Sequence, residues 1–146
     1  MPTTSARRKT RIAVQFAVPR RGLPSAASLR DWALAASGAE VTLRVVGERE
    51  ARQLNTRFRE KNSATNVLSF AYGSAQGDVV LCHPVIAREA RAQGRPLAAH
   101  YAHLVVHGVL HLRGYDHEKK RDAFRMARQE SLILRRIGFA DPYALE

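Results

Sequence analysis

Along this chain the apolar positions recur at a spacing of two in some stretches and three to four in others, and the changes of period mark out its elements. RIAVQFAV (11–18) is rich in β-branched and aromatic residues and predicts a strand, broken by Pro19 and Gly22. Ser25 is placed to cap a helix on which Leu29, Trp32, Ala33 and Ala36 repeat at helical spacing, with Gly38 as its stop. Val41 to Val46 alternates as a second strand. Residues 48–58 predict a helix with Leu54 and Phe58 one turn apart. Asn66 to Phe70 predicts a third strand, Gly73 to Gly77 a turn, and DVVLC (78–82) a fourth strand. Pro84 suits the first turn of a helix that runs to about Gln93 and stops at Gly94. Pro96 opens the next helix, through to Arg113, and a last helix covers about 118–137, ending at Gly138.

The order is β-α-β-α-β-β-α-α-α, with no internal repeat and no linker. It predicts an α+β fold in one domain over residues 11–146, preceded by a basic, disordered tail at 1–10. A length of 146 residues suits one real core and not two. The helix at 97–113 carries Leu104, Val105, Val106, Val109, Leu110 and Leu112 nearly all round its circumference, so it is expected to be the central, buried helix.

That buried helix also carries the candidate chemistry. Residues 107–117 read HGVLHLRGYDH. His107 and His111 leave the helix on one face, one turn apart, where two imidazoles can reach a single metal ion. Gly114 can take a positive φ and end the helix, which lets the chain turn back and offer His117 as a third ligand. Three neutral nitrogens leave one tetrahedral position open, the layout of a catalytic zinc site. The spacing is that of the HExxHxxGxxH motif of metzincin-type zinc peptidases, but Gly108 stands where those enzymes carry their glutamate base. The layout is therefore metzincin-like, HxxxHxxGxxH, without the peptidase's base. Asp116 is expected to cap the turn or orient a ligand, and His103 to satisfy a backbone carbonyl.

Charge changes the expected substrate. Lys and Arg total 24 against 13 Asp and Glu, a formal net charge of +11. All but Lys9, Lys61, Lys119 and Lys120 of these cations are arginines, whose planar forks suit phosphate. The single cysteine, Cys82, sits in an apolar run and excludes an internal disulfide framework. No stretch has the length of a membrane span and the first ten residues lack the apolar segment of a signal peptide, so a cytoplasmic location is expected.

These segments together resemble the YbeY family of endoribonucleases and rRNA maturation factors. AHLVVHGVLHLRGYDH (102–117) is similar to the family's signature, LNTRFREKNSATNVLSF (54–70) to its second characteristic segment, GDVVLC (77–82) to the strand that follows, and IGFADPY (137–143) to its ending. The resemblance implies a mixed four-stranded sheet packed by helices. It also implies one Zn2+ held by His107, His111 and His117, and a functional arginine at Arg59. Ala64 and Ala71 stand where many members have proline, and EKKRDAFRMARQE (118–130) is more basic than the acidic stretch many members carry. The implied activity is zinc-dependent cleavage of single-stranded rRNA, in 16S 3′-end maturation and ribosome quality control, with rRNA and ribosomal particles as partners and neither DNA nor membrane. Arg59 would stabilise charge on the scissile phosphate, and Asn66, Ser69 and Phe70 would line the substrate cleft, as strand edges do in peptidase-like folds. The rival readings are a zinc peptidase, which Gly108 argues against, and a non-catalytic ribosome-assembly factor.

Overall fold

A computed structural model describes residues 10–37, 39–59, 65–116 and 118–144, with the side chain of Arg59 excepted. The element order is the predicted one: β1 (Arg11–Phe16), α1 (Ala26–Ala35), β2 (Glu40–Val46), α2 (Glu48–Arg59), β3 (Val67–Gly73), β4 (Gln76–Cys82), α3 (His83–Gln93), α4 (Leu97–Leu112) and α5 (Lys120–Arg136). The expectation for the first ten residues falls, save for Thr10, outside the described residues.

The four strands form one mixed sheet in the order β1-β2-β4-β3. β1 pairs with β2, and β2 with β4, in parallel, while β3 runs antiparallel to β4. Both inner strands bury one face along their length, while the other face is covered only towards their C-terminal ends, so β2 alternates until Val45–Val46 and β4 turns continuously apolar from Val79. Val41, Leu43 and Val45 of β2 and Val79 and Leu81 of β4 join the main core with α1, α4 and α5. Val46, Val80 and Cys82 point the other way, into a smaller cluster with Ala51 and Leu54 of α2. Cys82 is thus a buried strand residue, with its thiol pushed up by burial.

The described helix ends follow the sequence closely. Ser25 Oγ accepts from the Ser28 amide at 3.0 Å, which supplies the N-cap of α1. At the far end of α1 the left-handed residue is Ser37 (φ 64°), whose amide donates to the Leu34 carbonyl at 2.9 Å. The predicted stop, Gly38, lies outside the described residues. α4 ends as Gly114 predicts: with φ at 96° its amide donates to the His111 carbonyl, and the Tyr115 amide donates to the Leu110 carbonyl, both at 3.0 Å. This pair of bonds is a Schellman closure.

β3 runs three residues further than predicted, because Gly73 pairs with Gln76 and the turn needs only Ser74 and Ala75. Ala75 takes φ 59°, and its amide donates to the Leu112 carbonyl at 2.9 Å, so the hairpin tip grips the end of α4. A left-handed conformation costs an L-residue roughly 1–2 kcal/mol that glycine does not incur. Ala75→Gly is therefore expected to raise the unfolding free energy by about 0.5–1 kcal/mol, after allowing for glycine's greater freedom in the unfolded chain. Urea unfolding of the two proteins checks this, and a less stable variant would contradict the strain argument.

Candidate metal centre

α4 is the buried helix the sequence predicts, yet one stripe along it is polar. His100, His103, His107 and His111 follow each other along one side, with ring centroids 6.4, 6.5 and 4.9 Å apart in turn. The last pair, His107 and His111, are the two predicted ligands that the structure describes. Their rings stand at 78° to each other.

The stripe is organised by a residue that sequence reasoning missed. Glu130 of α5 is 1% exposed and lies beneath two of the histidines. His103 Nε2 is 2.7 Å from Glu130 Oε1, His107 Nδ1 is 2.6 Å from Oε2, and the Tyr143 hydroxyl donates to Oε1. Burial by itself would push this carboxyl up. The hydrogen bonds from His103 and His107, the charge interaction with His107 and the Tyr143 hydroxyl outweigh it and hold the group at about 2. Glu130 is thus a buried, ionised, fully engaged carboxylate. A signal for it existed in the sequence. Met126, Ile133 and Leu134 are the buried positions around it on α5, so an ionisable residue falls on that helix's apolar face.

Arginine can only donate, and this fixes the tautomers further along the stripe. Arg95 Nη1 lies 3.0 Å from His100 Nδ1 and 3.4 Å from His103 Nδ1, so both of those nitrogens accept. His100 Nε2–H then donates to Glu89 Oε1 at 2.9 Å, and His103 Nε2–H donates to Glu130. Burial pushes His100 below its ordinary value, in keeping with the neutral form. His103 therefore serves a carboxylate and not the backbone carbonyl expected for it, because α5 brings Glu130 within reach. His83 pairs its Nδ1 with the Tyr101 hydroxyl at 2.8 Å.

A cleft of about 560 Å³ opens between β3 and the end of α4. His107, His111, Asn66, Ser69 and Asp116 all line it, so four of the sequence-predicted site residues share one cavity with the acidic neighbour of the third predicted ligand. Their tasks differ. The Ser69 hydroxyl donates to the Gly108 carbonyl at 3.1 Å, tying strand to helix. The Asn66 amide donates to Glu89 at 3.0 Å, the carboxylate that also receives His100. Asp116 Oδ1 accepts from the Glu118 amide at 3.2 Å and so caps the turn as expected. Phe70 instead contributes to the smaller cluster on the α2 side, edge-on to Phe58 at 5.5 Å, and does not line this cleft.

Gly108 explains how the helix comes so near the sheet. A Cβ there would sit 2.7 Å from Val79 Cγ1 and 3.2 Å from Ser69 Oγ. A side chain there would have to displace the buried Val79, so the position that carries the glutamate in the peptidase motif faces packed strand.

Two predicted residues remain to be placed. His117 lies outside the described residues. Among the described residues no group of three His, Cys, Asp or Glu side chains is arranged to hold a metal ion. Arg59 is the last residue of α2, six positions before Thr65 at the rim of the cleft. Among the described residues no helix is long and apolar enough to cross a membrane.

Comparison with known proteins follows the same segments. Residues 24–138 match the sequence model of a family described as Endoribonuclease YbeY. A protein of that name from Aromatoleum aromaticum is 48% identical over 150 residues, covering 97% of this chain and 97% of its own. Another from Thiobacillus denitrificans is 51% identical over 140 residues, covering 91% and 95%. The solution structure of TM1509 from Thermotoga maritima superposes with a TM-score of 0.51 at 24% identity, covering 92% of this chain and all of that one, which supports the same fold.

The buried carboxylate yields a stability test. In Glu130→Gln one face of the amide presents N–H groups where a histidine N–H must be accepted, so at least one charge-assisted bond is lost. Such bonds are worth about 1.5–3 kcal/mol each, and a loss of that size is expected in urea unfolding at neutral pH. An unchanged midpoint would mean that the carboxylate does not anchor α5 to α4.

Proposed function

The chain belongs to the Endoribonuclease YbeY family and is an RNA-cleaving hydrolase, and from that premise we propose that it is a zinc-dependent endoribonuclease acting on single-stranded ribosomal RNA. The reading extends to 16S 3′-end maturation and ribosome quality control, with ribosomal particles as partners, in the cytoplasm. Residues 11–146 form its single catalytic domain.

One observation carries the reading: two imidazoles one turn apart on a rigid helix face an open cleft, and one is backed by a buried carboxylate. With Nδ1–H of His107 donated to Glu130, the imidazole is held in the tautomer whose Nε2 bears the lone pair a metal requires. The described donors therefore fit two of three ligand positions, and His107, His111 and His117 would hold one Zn2+. When bound, such an ion lowers the pKa of a water to about 7 and polarises a phosphoryl oxygen.

The chain's own residues do the rest. Arg59 supplies a guanidinium to the phosphate as negative charge builds on its oxygens. Ser69 holds β3 against α4 through the Gly108 carbonyl, and Asn66 braces the start of the same strand through Glu89, so the strand beside the histidines is a firm wall for an extended RNA segment. The peptidase alternative requires a glutamate base beside His107, and the contact of Gly108 with Val79 and Ser69 leaves it no room.

Two variants test this together. His111→Ala is expected to lose stoichiometric zinc and RNA cleavage, whereas Arg59→Glu is expected to keep the zinc and lose at least about a hundredfold in cleavage, as removal of one transition-state donor does. Metal analysis and a gel assay on a single-stranded rRNA fragment read both. Full zinc content in His111→Ala would refute the metal assignment, and undiminished cleavage by Arg59→Glu would refute the arginine's role.

A further inference from the structure

Beside the histidine cleft lies a second depression, of about 730 Å³, between the end of α4 and the first half of α5. It is large enough for a nucleotide-sized group. Its walls carry Arg113, Tyr115, Asp116, Asp122, Arg125 and Arg128. The register of α5 dictates this. Met126, Glu130, Ile133 and Leu134 are buried against the core, which turns Asp122 and Arg125 to the flank facing the end of α4 and leaves Arg128 beside them.

The three arginines are not equivalent. Arg113 is anchored: its Nη1 donates to the Ala36 carbonyl at 3.1 Å, and its guanidinium lies 5.6 Å from the Tyr115 ring centroid. Arg125 and Arg128 are exposed and make no ion pair with a described residue. Asp122 and Asp116 share the groove, so three guanidinium groups face two carboxylates and the balance favours an anion. Tyr115, half-buried, adds an aromatic surface of the kind unstacked bases use. Asp116 lines this groove and the histidine cleft alike, so the two depressions adjoin.

We propose that this arginine groove is a phosphate-backbone subsite for the RNA strand flanking the cleaved bond, entered past Asp116 from the histidine cleft. The inference rests on the functional reading above and deepens it. Arg125 and Arg128 contact successive phosphates as unpaired forks, while Arg113 and Tyr115 form a fixed platform beneath the strand.

The test uses the full chain, a single-stranded RNA of about 12 nucleotides and a dinucleotide confined to the cleft. Each single-strand phosphate contact adds about 0.7 to the slope of log affinity against log salt. The double variant Arg125→Gln/Arg128→Gln changes exposed helical positions to another good helix former, so folding is retained. It is expected to bind the longer RNA about tenfold more weakly with a slope lower by about 1.4, and to cut the dinucleotide at the wild-type rate. Arg125→Lys/Arg128→Lys is expected to keep the slope. Wild-type affinity and slope in the glutamine variant, with cleavage by the wild type intact, would overturn the subsite and leave the nuclease reading standing. A wild-type protein that neither binds nor cuts RNA would overturn both.

Discussion

Two of the histidines of α4, one of them a proposed metal ligand, are held by one buried carboxylate. An ionised group 1% exposed survives in a protein interior only if its lone pairs are taken, and Glu130 meets this with His103, His107 and Tyr143. Those three partners come from the middle of α4 and from the chain beyond α5. The single residue therefore sets how α5 packs against α4, which tautomer His107 adopts, and where the C-terminal segment lies. The same side chain thus contributes to stability and to the state of the ring proposed as a ligand.

A second constraint acts from the opposite side of α4. Gly108 lets the helix backbone approach Val79 and Ser69 so closely that a Cβ there would force Val79 to shift. The Ser69 hydroxyl reaches the Gly108 carbonyl only because of this approach, and it brings the β3 edge beside His107 and His111. Gly108 is thus a packing requirement before it is a missing base. Held by the sheet at Gly108, by the hairpin tip at Leu112 and by α5 at Glu130, the helix has little freedom to reposition its histidines.

Most of this arrangement is legible in the chain itself. The nine elements among the described residues follow from hydrophobic period and from Gly, Pro and Ser punctuation, because those residues act through local backbone sterics. Gly114 ends α4 for the reason its sequence position implies. Long-range partnerships are different. Ser37 takes a left-handed conformation after α1, and nothing local in a serine announces it. His103 looks like a capping residue until α5 is folded beneath it. Glu130 could have been suspected from its place on an apolar helix face, but its partners lie 27 and 23 residues away in the chain. Phe70 was expected in the cleft and packs on the other face, because alternation along β3 sends it to the α2 side.

Charge completes the picture. An excess of arginine says only that the surface favours polyanions, whereas the fold collects Arg113, Arg125 and Arg128 into a groove that adjoins the proposed metal cleft. His107 and His111 of α4, with His117 beyond it, are proposed to hold a metal ion, and X-ray absorption at the zinc edge of the loaded protein reads those ligands. The expected first shell has three imidazole nitrogens at about 2.0–2.1 Å and one light-atom ligand. A shell containing sulfur, or oxygen alone without imidazole scattering, would contradict it.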